Sequence, residues 1–160
     1  MERLTVGDLF DRVALGVGDR EALIFPDQHV RWGYRETHAR VTQLAKGLMG
    51  LGVDTGDHVA VFATNRPEWV LLQLAAAKVG AVLVPIDPAS GAPELAYLLE
   101  HSDASTLFLV ARSEDVSFLD VLVECCPELN SARPGRVASR RFPALKRIAA
   151  YLSCRPGEAA

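Results

Sequence analysis

Hydrophobic positions along this chain change rhythm at Asp57. Before it they are sparse and mixed; after it they come as short continuous runs separated by helical spacings. The first segment predicts a short helix over 6–13, docked through Leu4, Leu9, Phe10 and Val13. "EALIFPDQHVRWGY" then reads as strands over 22–25 and 29–32, turned at Pro26, Asp27 and Gln28. A helix follows from Tyr34, with Gly33 as its N-cap and Glu36 in its first turn. Tyr34, Val41, Leu44, Ala45, Leu48 and Leu51 recur at helical spacing, and Gly50 and Gly52 close the helix.

Beyond Asp57 the order is strand, helix, strand, helix, strand. "HVAVFA" (58–63) is a Val-rich run suited to a strand covered on both faces. Asn65 is expected to cap the next helix, with Pro67 in its first turn and Glu68 at the third position; Gly80 ends it. "AVLVPID" (81–87) reads as a second buried strand, 93–102 as a helix and "STLFLVA" (105–111) as a third strand. Ser113 is expected to cap a last helix through Glu124, with Glu114 and Asp115 against its positive end; Pro127 stops it. From there the chain reads as loop, with one candidate strand over 145–149. This alternation predicts an α/β fold: a parallel, Rossmann-like or flavodoxin-like βαβ sheet flanked by helices, preceded by a short β-hairpin and helix.

The helix after Asn65 stands out because it is apolar nearly all round, with Gln73 and Lys78 the strong polar groups between Trp69 and Ile86. Such a helix must be covered nearly all round. The sheet covers one side and the helix from Tyr34 part of the rest, so a further partner layer is expected from outside the chain.

Composition adds limits. Of 160 residues 49% are hydrophobic and 23% charged, an ordinary amount for one domain with a core. The apolar runs fall short of the ~18 residues that a bilayer span needs, and the acidic start lacks the order of a signal peptide. The expectation is a cytoplasmic protein without a transmembrane segment. The net charge of −3 divides into −9 over residues 1–130 and +6 over 131–160. The basic residues of that tail lie among Pro, Gly, Ala and Ser without aromatic interleaving, so nucleic-acid binding is not expected. Cys125, Cys126 and Cys154 lack metal-ligand spacing and read as reduced structural thiols. His29, His38, His58 and His101 are scattered, and no metal site is expected.

Catalytic motifs are equally scarce. The turn after the first parallel strand, "TNRPEW", is neither a dinucleotide fingerprint nor a phosphate loop, and no G-x-S-x-G elbow occurs. Asp54 with Asp57, and Glu114 with Asp115, sit where turns and helix starts explain them. No catalytic, cofactor-binding or metal residue is assigned.

What the chain carries instead is an order of residues. Tyr34 and Glu36 open a helix; Gly52, Val53, Gly56 and Asp57 precede a strand; Asn65, Glu68 and Trp69 follow it. Then come Lys78, Gly80 and Ala81, Val84 and Pro85, then Glu94, Leu95, Tyr97 and Leu99, with Ser102 and Ala104 after. This order resembles the N-terminal region of AMP-binding, adenylate-forming acyl-CoA synthetases, the superfamily that includes acid–CoA ligases, luciferases and peptide-synthetase adenylation domains. The likeness covers about residues 5–125, with a weaker echo over 142–148. Gly33 departs from a frequent Thr, and Asp87 from a frequent Asn.

The resemblance implies a truncated N-terminal domain over 1–128, followed by a basic, mostly irregular tail over 129–160. It implies that the longer ligase uses ATP, Mg and CoA to turn a carboxylic acid into an acyl-adenylate and then an acyl-CoA, in fatty acid metabolism. The family's phosphate loop, ribose-contacting Asp and mobile-domain Lys lie downstream of the matched region. This chain is therefore expected to bind none of these cofactors and to be inactive alone. The alternative is a non-catalytic interaction module that pairs with a complementary ligase fragment or a full-length relative.

Overall fold

Thr5 starts the first ordered element by a reciprocal cap. Its hydroxyl oxygen accepts the Asp8 amide at 3.1 Å, and the Asp8 carboxylate accepts the Thr5 amide at 3.1 Å. The helix so capped, α1 (Val6–Gly16), belongs to the first of two units in the computed structural model, which describes residues 4–113, 116–131, 137 and 139–151. The first unit comprises Met1–Gly56 and Asn65–Val82, the second Asp57–Thr64 and Leu83–Ala160.

In the first unit α1 is followed by an antiparallel hairpin, β1 (Glu21–Phe25) and β2 (Val30–Gly33), joined by a 3-10 turn over Pro26–Gln28. His29 was expected to begin the second strand. It instead closes the turn in the left-handed region at φ 53°, so pairing starts one residue later. α2 (Tyr34–Gly50) buries Thr37, Val41, Ala45 and Leu48 on one stripe. Thr37 tolerates burial because its hydroxyl donates to the Gly33 carbonyl at 2.9 Å. Leu51, assigned to the same face, is exposed beyond the last turn. Gly52, at φ 77°, ends the helix: its amide reaches Met49 O at 2.9 Å and that of Val53 reaches Leu48 O at 3.0 Å.

α3 (Pro67–Val79) carries the apolar run. Its N-cap is Arg66 rather than Asn65, because the residue before a proline is driven to extended backbone, here φ −156° and ψ 161°. Within its unit α3 packs on α2 and also on α1, and Gln73 is its one exposed residue. Part of the cover expected from outside the chain is thus supplied by α1. That helix does not dock as expected: Leu4, Leu9 and Val13 are exposed, while Gly7 and Ala14 are buried and Phe10 and Asp11 half-buried.

The second unit is a four-stranded sheet in the order β4–β3–β5–β6, formed by β3 (His58–Phe62), β4 (Val82–Ile86), β5 (Thr106–Val110) and β6 (Arg147–Tyr151). β5 runs parallel to both neighbours, Val59 facing Thr106 and Leu107 facing Ile148. β5 is buried along its whole length. β4 was read as buried, yet it lies at the sheet edge with Val82 and Pro85 exposed. Pro85 lacks an amide hydrogen, and an edge position leaves that donor unneeded. α4 (Ala92–His101) and α5 (Phe118–Cys125) complete the unit, with a 3-10 turn over Pro127–Ser131. Ser117, not Ser113, caps α5 by accepting the Asp120 amide at 3.2 Å. Ser113 donates its amide to Val116 O, and Glu114 and Asp115 lie outside the described residues. The candidate strand over 145–149 appears two residues later, as β6, behind the buried anchors Phe142 and Leu145.

Candidate functional site

In an open parallel sheet, ligands settle where the strands end at their carboxyl side. In the second unit those ends lead into Ala63–Thr64, then residues 87–91 and residues 111–113. The loop after β4 is the most structured. Asp87 accepts the Ala89 amide on Oδ1 at 2.8 Å, and its carbonyl accepts the Ser90 amide at 2.9 Å. This Asx turn delivers the chain to Gly91, which caps α4. Ser90 is 4% exposed, and its hydroxyl is buried without a hydrogen-bond partner among the described residues. Among the described residues of these three loops Arg112 is the one basic side chain.

That inventory does not fit Mg–ATP. A bound triphosphate needs several cations or convergent amides, and adenylate formation needs an in-line arrangement of carboxylate and α-phosphate. The Asp87 carboxylate is engaged by its own loop, and among the described residues no group of three His, Cys, Asp or Glu side chains is placed to hold a metal. No chemical step is derived from these loops.

The residues that carry the sequence pattern hold structure together. Glu36 accepts from Arg40 at 2.8 and 3.1 Å along α2, and Glu68 from Arg66 at 2.9 Å at the start of α3. Tyr97 stacks on His101 with ring centroids 4.0 Å apart. Ala104 and Leu95 are fully buried, and Gly52, Gly56 and Gly80 all have positive φ. Lys78 has the most elaborate role. Its ammonium lies 2.5 and 2.7 Å from the two carboxylate oxygens of Asp11 on α1, and His38 Nε2 on α2 lies 3.0 Å from the same carboxylate. Nothing local in the sequence announced this cluster, because Asp11 and Lys78 are 67 residues apart.

Two more histidines bond backbone carbonyls. His58 Nδ1 bonds the Ser102 carbonyl, and His101 Nδ1 the Tyr97 carbonyl at 2.8 Å. Cys125 and Cys126 are free and buried; Cys154 lies outside the described residues. Burial, aided by the neighbouring Cys126, pushes the Cys125 thiol up to about 11, and burial raises Cys126 as well. Both stay protonated at neutral pH, the form in which a thiol is a poor nucleophile.

Comparison with known proteins gives the family. The AMP-binding enzyme family matches residues 10–149. "Putative acyl-CoA synthetase YngI" of Bacillus subtilis (strain 168) is 41% identical over 90% of this chain and 26% of its own length. The "Medium-chain acyl-CoA ligase ACSF2, mitochondrial" of Mus musculus is 33% identical over 96% of this chain and 25% of its own. The chain thus spans about a quarter of the length of these relatives. An inhibitor-bound crystal structure of the N-terminal domain of FACL13 from Mycobacterium tuberculosis superposes with a TM-score of 0.75 at 25% identity, over 93% of this chain and 34% of that one. No helix among the described residues is long and apolar enough to cross a membrane. The chain belongs to the AMP-binding enzyme family and corresponds to the N-terminal part of its acyl-CoA synthetases.

Proposed function

We propose that this polypeptide is the N-terminal scaffold of an ATP-dependent acid–CoA ligase, which forms an acyl-adenylate and then an acyl-CoA, releasing pyrophosphate and AMP. The observation that carries the reading is the continuity of the family match, residues 10–149, against relatives of which the chain covers about a quarter. On this reading the ATP, Mg and CoA contacts come from the remainder of such a ligase, and residues 1–160 alone do not activate a carboxylic acid. The Asx turn at Asp87 and the buried strand β5 give that remainder a fixed platform.

Two assays test the proposal. ATP–pyrophosphate exchange with a range of carboxylic acids should stay at background for the 160-residue chain; exchange that saturates with ATP would defeat the claim of inactivity. A hybrid in which residues 10–149 replace the matching quarter of the Bacillus relative should form acyl-CoA from the acids that relative accepts. A folded but inactive hybrid would count against the scaffold role.

A second reading, a non-catalytic module that pairs with a complementary ligase fragment, is favoured by the apolar side chains left on the surface, among them Val6, Leu9, Met49 and Tyr97. Co-purification with the remaining three quarters of a relative, expressed separately, supports that reading; solitary aggregation of both pieces opposes it.

A further inference from the structure

We propose that α1 is a releasable strap, held on α2 and α3 by the carboxylate of Asp11 rather than by apolar packing. The face that α1 turns inward consists of Gly7, Phe10, Asp11 and Ala14. Of these, Gly7 and Ala14 are fully covered and together offer a single methyl group. Phe10 is half-buried beside the His38 ring, with centroids 6.0 Å apart. The larger apolar side chains, Val6, Leu9 and Val13, point away and contribute little to docking. Asp11 anchors α1 on the other two helices, with the Lys78 ammonium at 2.5 and 2.7 Å and His38 Nε2 at 3.0 Å. Lys78 is 17% exposed and Asp11 36%, so the clamp is partly shielded from solvent on its lysine side.

Gly7 lets the clamp close. A Cβ at that position would stand 3.0 Å from Lys78 Cα and 3.2 Å from Ala77 O, so a side chain there would hold the two helices apart. The helix closes both of its ends with its own groups: Thr5 with Asp8 at the start, and the Val17 amide on Val13 O at 3.0 Å at the end. Release therefore breaks no cap shared with a neighbour and uncovers Ala77, Lys78 and His38. Eleven residues are too few for a stable lone helix, so a released α1 frays and its amides exchange.

Native-state hydrogen exchange on the full chain tests this. In Asp11→Asn, exchange over residues 9–16 should speed up by about tenfold or more, while α2 and α3 stay within about twofold. Lys78→Met should do the same to a smaller extent, since His38 still holds Asp11, and the double variant should be no worse than Asp11→Asn alone, which already removes both contacts. Unchanged exchange in α1 overturns the proposal. So does a loss of protection or of folding throughout the chain, since the clamp would then support the whole unit and not a strap.

Discussion

The Thr55 hydroxyl donates to the Val79 carbonyl at 2.8 Å, and its side chain fills the space where a β-carbon on Gly80 would lie, 3.0 Å from the Thr55 methyl. One residue thus secures the end of α3 and excludes any side chain there. The Gly56 amide adds a bond to Gly80 O at 2.9 Å, so the turn after α2 and the last turn of α3 are stitched together.

Gly80→Ala should therefore be costly twice over. At φ 82° a non-glycine residue pays about 1–2 kcal/mol for the left-handed conformation alone, and contact with Thr55 adds to it. Thr55→Ala removes the contact and the hydrogen bond, so it should cost about 1 kcal/mol by itself. In the double variant part of the Gly80→Ala penalty should disappear. Urea midpoints of the four proteins test this; strict additivity would mean that Thr55 does not shape the turn.

Much of this architecture is legible in the residues, and the exceptions have physical causes. The alternation of Val-rich runs with helical spacings marks β3, β5, α3 and α4, because strand and helix periods differ and glycine at 80 has one good use. The inward face of α1 is not legible. A hydrophobic count chooses Leu9 and Val13, whereas the chain turns Asp11 inward to a lysine 67 residues away. Cap positions slip for local reasons: Pro67 makes Arg66 the cap, and with the Ser113 amide bonded to Val116 O, Ser117 takes the cap of α5. Edge status in a sheet depends on strand order, which no single strand encodes, and Pro85 was the available warning for β4. Motif reading assigns no catalytic residue, and the pattern residues Glu36, Glu68 and Lys78 form ion pairs with Arg40, Arg66 and Asp11.

Of the two buried anchors before β6, Phe142 should contribute the more. Phe142 is buried, and the Ser139 hydroxyl accepts the amides of Arg141 at 3.2 Å and Phe142 at 3.3 Å, which fixes its approach. Phe142→Ala should cost about 3–5 kcal/mol, in the range of large-to-small core substitutions. Hydrogen exchange should show β6 losing protection first. A loss below about 1 kcal/mol would mean that β6 is held by its pairing with β5 alone.

Thr5→Ala removes half of the reciprocal cap on α1. The expected loss is about 1 kcal/mol, and its effect on exchange should be confined to the first turns of α1, because Thr5 contacts no other helix through that hydroxyl. Thr5→Ser keeps the acceptor and should restore most of the protection. If Thr5→Ser behaves as Thr5→Ala does, the cap is not what holds the first turn.

The two buried thiols make stability depend on alkaline pH. An acid that is harder to ionise in the folded chain keeps its proton longer there than in the unfolded chain. For Cys125 the folded value is about 11 against an ordinary 9.0, with burial the first cause and Cys126 the second. Above pH 9 the unfolded chain sheds this proton while the folded chain does not, so the folded state loses ground. The contribution is fully present below pH 9 and disappears as pH rises towards about 11; Cys126, shifted in the same direction, reinforces it. Urea unfolding at intervals between pH 7 and 10.5 should show a plateau and then a decline. Cys125→Ala lowers the plateau by its lost packing, yet it should flatten part of the decline, since lysine and tyrosine titration is common to both proteins. A thiol reagent at pH 7.5 should label neither cysteine until the chain unfolds. Rapid labelling of the folded chain, or an identical alkaline slope in Cys125→Ala, would mean that the thiols at the end of α5 are accessible and ionise freely.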